Sequence, residues 1–175
     1  MAVQIGAKPD SGFDDPIGML KDCHRRIERF VNLLARVSDQ ASGRALTIDE
    51  RQAVDAALRY FRESGPRHNS DEEQSLFPRL KDMPDVQADI TRLTGEHQEA
   101  DELHAEIAEM FTAWLEGQTP GAEDARGLRE MTHRLADLYH EHIHVEEDTV
   151  FPHAARTLDP KAIAAIGREF QQRRA

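Results

Sequence analysis

Two stretches of this chain repeat each other, and what they repeat is difficult to bury. His68-x-x-x-Glu72-Glu73-x-x-Leu76-Phe77-Pro78 returns 74 positions later as His142-x-x-x-Glu146-Glu147-x-x-Val150-Phe151-Pro152. A further histidine, His24, precedes the first stretch by 44 positions, and His97 precedes the second by 45. The repeated unit is therefore a lone histidine, about one helix hairpin, then HxxxEE. Its period of 73 residues, His24 to His97, is too long for a solenoid module and suits a bundle built from two paired hairpins.

The surrounding pattern is helical throughout. Ile17, Leu20, His24, Ile27, Val31 and Leu34 alternate in steps of three and four, after Asp15 as a cap and Pro16 in the first turn. Thr47 with Glu50 forms a capping-box signature ahead of a second stripe of Val54, Leu58, Phe61, His68, Glu72, Leu76 and Leu80. Gly65-Pro66 predicts a kink or short break just before His68, because proline removes a ladder hydrogen bond and crowds the preceding turn. A third stripe from Pro84-Asp85 runs through Val86, Ile90, Leu93, His97, Asp101, His104, Ala108, Phe111 and Leu115. The fourth carries Leu128, Met131, Leu135, Leu138, His142, Glu146 and Val150, and a terminal helix follows Asp159-Pro160 with Ile163, Ile166 and Phe170 inward. No strand pattern occurs. The expected fold is all-α, an antiparallel up-down-up-down four-helix bundle over residues 15–175 with a short additional C-terminal helix, preceded by a flexible arm at residues 1–14.

Histidine and glutamate thus occupy stripe positions where apolar side chains belong. A buried imidazole or carboxylate without a partner costs several kcal/mol, and six at one level of a bundle need something to satisfy them. On a helix, i,i+4 spacing stacks His68 over Glu72 and His142 over Glu146 one turn apart, so each pair can grip one site. Four helices then supply His24, His68/Glu72, His97 and His142/Glu146, a set for two metal ions. Mixed imidazole and carboxylate donors, with neither thiolate nor an all-oxygen cage, favour iron, with manganese or zinc as substitutes. If both glutamates bridge, each ion receives two histidines and two carboxylate oxygens. A solvent-derived oxygen between the ions makes a fifth donor and leaves one position for dioxygen, peroxide or nitric oxide. The bland alternative, core His–Glu pairs without metal, is disfavoured by the matched repeat.

The paired HxxxEExxxFP segments and the lone histidines resemble the hemerythrin-like HHE cation-binding family over roughly Asp15 to Ala155. That resemblance implies a non-haem di-iron four-helix bundle with His24, His68, Glu72, His97, His142 and Glu146 as ligands. Oxygen-carrying hemerythrins have a further histidine where this chain has Asp101. The four-His, two-Glu set is more similar to the hemerythrin-like domain of bacterial iron-centre repair proteins, whose Cys-containing N-terminal segment has no counterpart here.

Asp101 and His104 follow His97 on the same stripe and offer an extra ligand, a group that orients a ligand, or a polar layer; for His104 an orienting or access role is preferred. His133, His140 and His144 fall on the opposite face of the fourth helix and are expected in solvent or against the terminal helix. Glu73 and Glu147 lie off the stripe and either face water or orient a ligand, Cys23 is expected to be a small helix residue, and Phe77-Pro78 and Phe151-Pro152 to be packing and helix-bending elements. The Glu-x-x-His pairs at Glu130/His133 and Glu141/His144 imitate ferritin-like sites, but both lie on one helix, where that class needs two.

Net charge bounds the partners. With Lys+Arg 22 against Asp+Glu 33, the chain carries −11, which argues against nucleic acid and against an acidic membrane surface. One cysteine, and an N-terminus without an apolar secretory segment, point to the cytoplasm. The leading expectation is a di-iron protein that binds or senses a small diatomic or peroxide ligand. A di-iron enzyme of oxidative or nitrosative stress protection or iron-centre repair is the alternative, and a metal-free helical interaction module the third.

Overall fold

A computed structural model describes residues 10–41 and 43–175, and among these the fold is all-α with no strand. The elements are α1 (Pro16–Gln40), α2 (Ile48–Glu63), α3 (Gly65–Asp71), π1 (Glu72–Leu76), α4 (Phe77–Leu80), α5 (Gln87–Leu115), α6 (Ala122–Val145), π2 (Glu146–Val150), α7 (Phe151–Thr157) and α8 (Pro160–Gln172). α1 packs on α2 and α6, and α5 packs on α6 and α2, so the long runs form a closed ring of neighbours.

Local chemistry explains the boundaries. The Gly18 N–H donates to the Asp15 carboxylate at 3.0 Å, with Pro16 supplying the first turn of α1. The capping box before α2 is complete: Thr47 N–H donates to Glu50 at 2.8 Å, and Glu50 N–H donates to the Thr47 hydroxyl at 3.2 Å. Between α2 and α3 the helix breaks at Ser64, as Gly65-Pro66 requires. Two matched irregularities follow. Phe77 N–H bonds back to the Glu72 carbonyl and Phe151 N–H to that of Glu146, each a wide i→i+5 turn. Pro78 and Pro152 come next in sequence, and a proline ring crowds the carbonyl four residues earlier while offering no N–H, which favours such a bulge.

The core is split in two. One apolar cluster, including Val31, Leu34, Val54, Phe61, Ile107, Phe111, Trp114 and Leu135, fills the end nearest the α1–α2 turn. The other joins Leu20, Leu76, Leu80, Leu93, Val150 and Phe151 to Ile166 and Phe170 of α8, so the terminal helix closes the opposite end. Between the clusters lie His24, His68, Glu72, His97, His142 and Glu146, none more than 4% exposed.

Two stripes depart from the expected phase. Along α5 the buried face beyond His97 passes through Ala100, Leu103, Ile107, Phe111 and Trp114, while Asp101 is exposed. Successive steps of four from Leu93 to His97 to Asp101 drift about 40° each, which carries Asp101 off the inner face. In α6, Thr132 and Tyr139 are buried where Met131 and Leu138 are half-buried. Of the N-terminal arm, residues 1–9 lie outside the described residues; Asp10 pairs with Arg26 at 2.6 Å, and Ser11 N–H donates to buried Asp22 at 2.5 Å. The Phe13 backbone crosses α8 at Gly167, where a Cβ would collide with the Phe13 carbonyl.

Candidate metal centre

All six expected donors converge. One atom from each of His24, His68, Glu72 and Glu146 lies within 4.8 Å of the others, and the same holds for Glu72, His97, His142 and Glu146. The two groups share both glutamates. Glu72 Oε1 lies 3.4 Å from His68 Nε2 and 3.8 Å from His24 Nε2, whereas its Oε2 lies 3.3 Å from His97 Nε2. Glu146 Oε2 lies 3.1 Å from His24 Nε2 and 3.4 Å from His142 Nε2. Each glutamate thus spans two imidazole pairs.

These approaches are not hydrogen bonds. The four carboxylate oxygens of Glu72 and Glu146, with His24 Nε2 and His97 Nε2, are buried without a hydrogen-bond partner among the described residues. Buried polar atoms are normally satisfied, and an unpaired buried carboxylate is the most expensive kind of exception. The separations of 3.1–3.8 Å instead resemble edges of a coordination polyhedron, since donors about 2.1 Å from one cation stand about 3.0–3.4 Å from each other. The residues present therefore fit two cations, one between the His24/His68 pair and the glutamates and one between His97/His142 and the glutamates.

The outward ring nitrogens are held separately. His24 Nδ1 donates to Glu147 at 2.9 Å, His97 Nδ1 to Glu73 at 2.7 Å and His142 Nδ1 to Glu96 at 2.9 Å. Such bonds fix the tautomer that leaves Nε2 facing inward and raise the basicity of the ring. Of the two roles open to Glu73 and Glu147, the structure selects the orienting one, and in a crossed manner: the second glutamate of each repeat holds the lone histidine of the other. Glu96 had no mark in the sequence beyond standing next to His97. Phe151 stacks on His24 with ring centres 5.5 Å apart, and Phe77 stacks on His97 at 6.1 Å, so both aromatic residues form walls of the site as well as packing.

With the protein's own groups alone, the cluster is strongly polarised. Burial pushes Glu72 upward, but the imidazoles of His68, His24 and His97 hold its carboxyl well below the ordinary range. Glu146 is opposed by burial and by the charge of Glu72, and His142 and His24 still bring it down. Burial disfavours charge on His142, yet Glu146 and Glu96 outweigh it and lift the ring to about 10. His24 and His97 are raised by their carboxylates against the same opposition. His68 differs: burial, only partly offset by Glu72, pushes it down to about 4.

Other candidates fall outside both donor groups. Asp101 is exposed and belongs to neither. His104 is half-buried, with Nε2 3.0 Å from the Tyr139 hydroxyl, its ring against Phe61, and burial pushing it down to about 4. His133, His140 and His144 are exposed; His133 pairs with Asp39 at 3.1 Å and His144 with Asp148 at 3.2 Å. Cys23 is a half-buried free thiol.

Comparison with known proteins agrees with this geometry. The model of the hemerythrin HHE cation binding domain matches residues 15–154. A protein of Haemophilus influenzae described as uncharacterized is 26% identical over 163 residues, covering 93% of this chain and 91% of its own.

Proposed function

Because the chain belongs to the hemerythrin HHE cation-binding family, we propose that it holds a non-haem di-iron centre and uses it to bind or sense dioxygen or a related ligand, nitric oxide or peroxide. The ligands in this proposal are His24, His68, Glu72, His97, His142 and Glu146, with Glu72 and Glu146 bridging. The observation that carries it is the set of buried, unpartnered carboxylate oxygens facing inward-pointing ring nitrogens. The donor types favour iron, with manganese or zinc able to replace it. When bound, an iron pair supplies redox capacity and a coordination position for a small ligand.

The rest of the work falls to the chain. Glu147, Glu73 and Glu96 orient three of the imidazoles, and Phe77 and Phe151 brace two of them. The apolar clusters on either side exclude bulk water, while a surface cleft of about 290 Å³ bordered by Lys21, Glu28, His140 and Glu147 reaches His24. The antiparallel up-down-up-down order of the four long helical runs belongs to the same proposal. It is supported by His24 near the start of α1 meeting Glu147 beyond the end of α6, and by Trp114 near the end of α5 bonding the Arg44 carbonyl ahead of α2. No helix among the described residues is long and apolar enough to cross a membrane; the proposed setting is the cytoplasm.

The test is an absorption spectrum of reduced, iron-loaded protein before and after anaerobic addition of nitric oxide, and separately of dioxygen or peroxide. A saturable spectral change at one ligand per iron pair supports binding or sensing. Sustained consumption over many equivalents indicates the enzyme alternative, and no change with any of the three refutes the proposed ligand class.

A further inference from the structure

The internal repeat sets each residue of one half against a counterpart in the other, and one position breaks the correspondence at the centre. His24 answers to His97, His68 to His142, Glu72 to Glu146, Glu73 to Glu147 and Phe77 to Phe151. The residue before each lone histidine is Cys23 in the first half and Glu96 in the second. Glu96 accepts the Nδ1 hydrogen bond of His142 at 2.9 Å and is itself held by Arg92 at 3.1 Å. Among the described residues the first half has no such bond. His68 Nδ1 is buried without a partner, the ring is 3% exposed, and Cys23 Sγ accepts from Arg26 at 3.5 Å instead. Three of the four imidazoles therefore have an orienting carboxylate and the fourth has none.

An acceptor on the far ring nitrogen fixes the tautomer and orientation of a metal-binding imidazole and makes it a stronger donor; losing one typically costs 10–100-fold in metal affinity. Both ion positions share Glu72 and Glu146, and His24 and His97 are equally supported, so the difference between the positions falls on His68 against His142. We propose that the two metal positions are unequal by construction: the one held by His97 and His142 fills first and empties last, and the one held by His24 and His68 is the exchangeable position. This rests on the two-metal reading above. Glu96 acts here as a positioning residue.

The experiment is calorimetric titration of the full chain, freed of metal, with zinc. His68→Ala leaves the position of His97 and His142 intact, and His142→Ala that of His24 and His68, each with both glutamates. The single ion of His68→Ala is expected to bind roughly 10–100-fold more tightly than that of His142→Ala. Adding Glu96→Ala to His68→Ala should abolish that advantage, whereas adding Cys23→Ala to His142→Ala should change nothing. Glu96 is partly exposed, so Glu96→Ala in the otherwise unaltered chain gives a second test independent of core substitutions: only the tighter of two binding steps should weaken. Equal affinities in the two histidine variants, or weakening by Cys23→Ala, would overturn the inference while leaving two-metal binding intact. An unaltered chain that binds no zinc would overturn both.

Discussion

Replacing Glu72 by glutamine removes one negative charge and little volume from a side chain that faces three imidazoles. Its Oε1 lies nearest His68 and His24 and its Oε2 nearest His97, so Glu72→Gln weakens both ion positions at once. At free metal a hundred times the dissociation constant, each position adds about 2.7 kcal/mol to stability. With about 2–4 °C of midpoint per kcal/mol for a chain of this size, two filled positions raise the unfolding midpoint by about 10–20 °C. Losing even about 100-fold in affinity at each leaves about 0.4 kcal/mol per position, a shift of about 2–3 °C. Each midpoint is compared with that of the same chain freed of metal, so that any effect of the substitution on the fold itself is separated from the metal-dependent shift. The assay is thermal unfolding by circular dichroism, with and without zinc or ferrous iron. A variant that keeps the full metal-dependent shift, or a parent that shows none, would refute the reasoning.

Three further outcomes follow from the same geometry. Phe151→Ala, at a ring 1% exposed and stacked on His24, should cost about 3–5 kcal/mol in urea unfolding and weaken metal uptake as well. Asp71, 1% exposed between His68 and Glu72, is held by Arg173 at 2.7 Å and Arg174 at 2.5 Å; the double change Arg173→Ala with Arg174→Ala should cost about 3–5 kcal/mol by stranding that carboxylate, and Asp71→Asn should recover most of it. Arg44 and the Thr47 N–H hold the Glu50 carboxyl down at about 2, so its contribution is fully present above the unfolded value of 4.5 and is lost as pH falls through about 2; stability measured between pH 5 and pH 3 should fall less steeply in Glu50→Gln than in the parent.

Much of this centre was legible in the sequence because its ligands interrupt apolar stripes, and a stripe interrupted twice at matched spacing is a periodic feature. The caps at Asp15 and Thr47 and the break at Gly65-Pro66 were legible for a similar reason, since each depends on residues three or fewer positions apart. What escaped was the contact between distant helices. Glu147 lies 123 positions from His24, and Glu96 lies 46 from His142, and no local spacing announces either bond. The placement of Asp101 failed where extrapolation in steps of four outran the true helical phase, and Tyr139 was hidden because Leu138 beside it is the more apolar residue. The wide turns at Glu72 and Glu146 had a sequence cue in Pro78 and Pro152, which identified a bend but not its i→i+5 form.

The most direct measurement is anomalous diffraction at the iron edge from crystals of the full chain grown with ferrous iron. Two peaks per chain are predicted in the layer between the apolar clusters, each about 2.0–2.2 Å from two imidazole Nε2 atoms and bridged by Glu72 and Glu146. Density showing no peak there, with the carboxylates instead hydrogen-bonded to the rings or to water, would contradict the claim that cations hold these six side chains together.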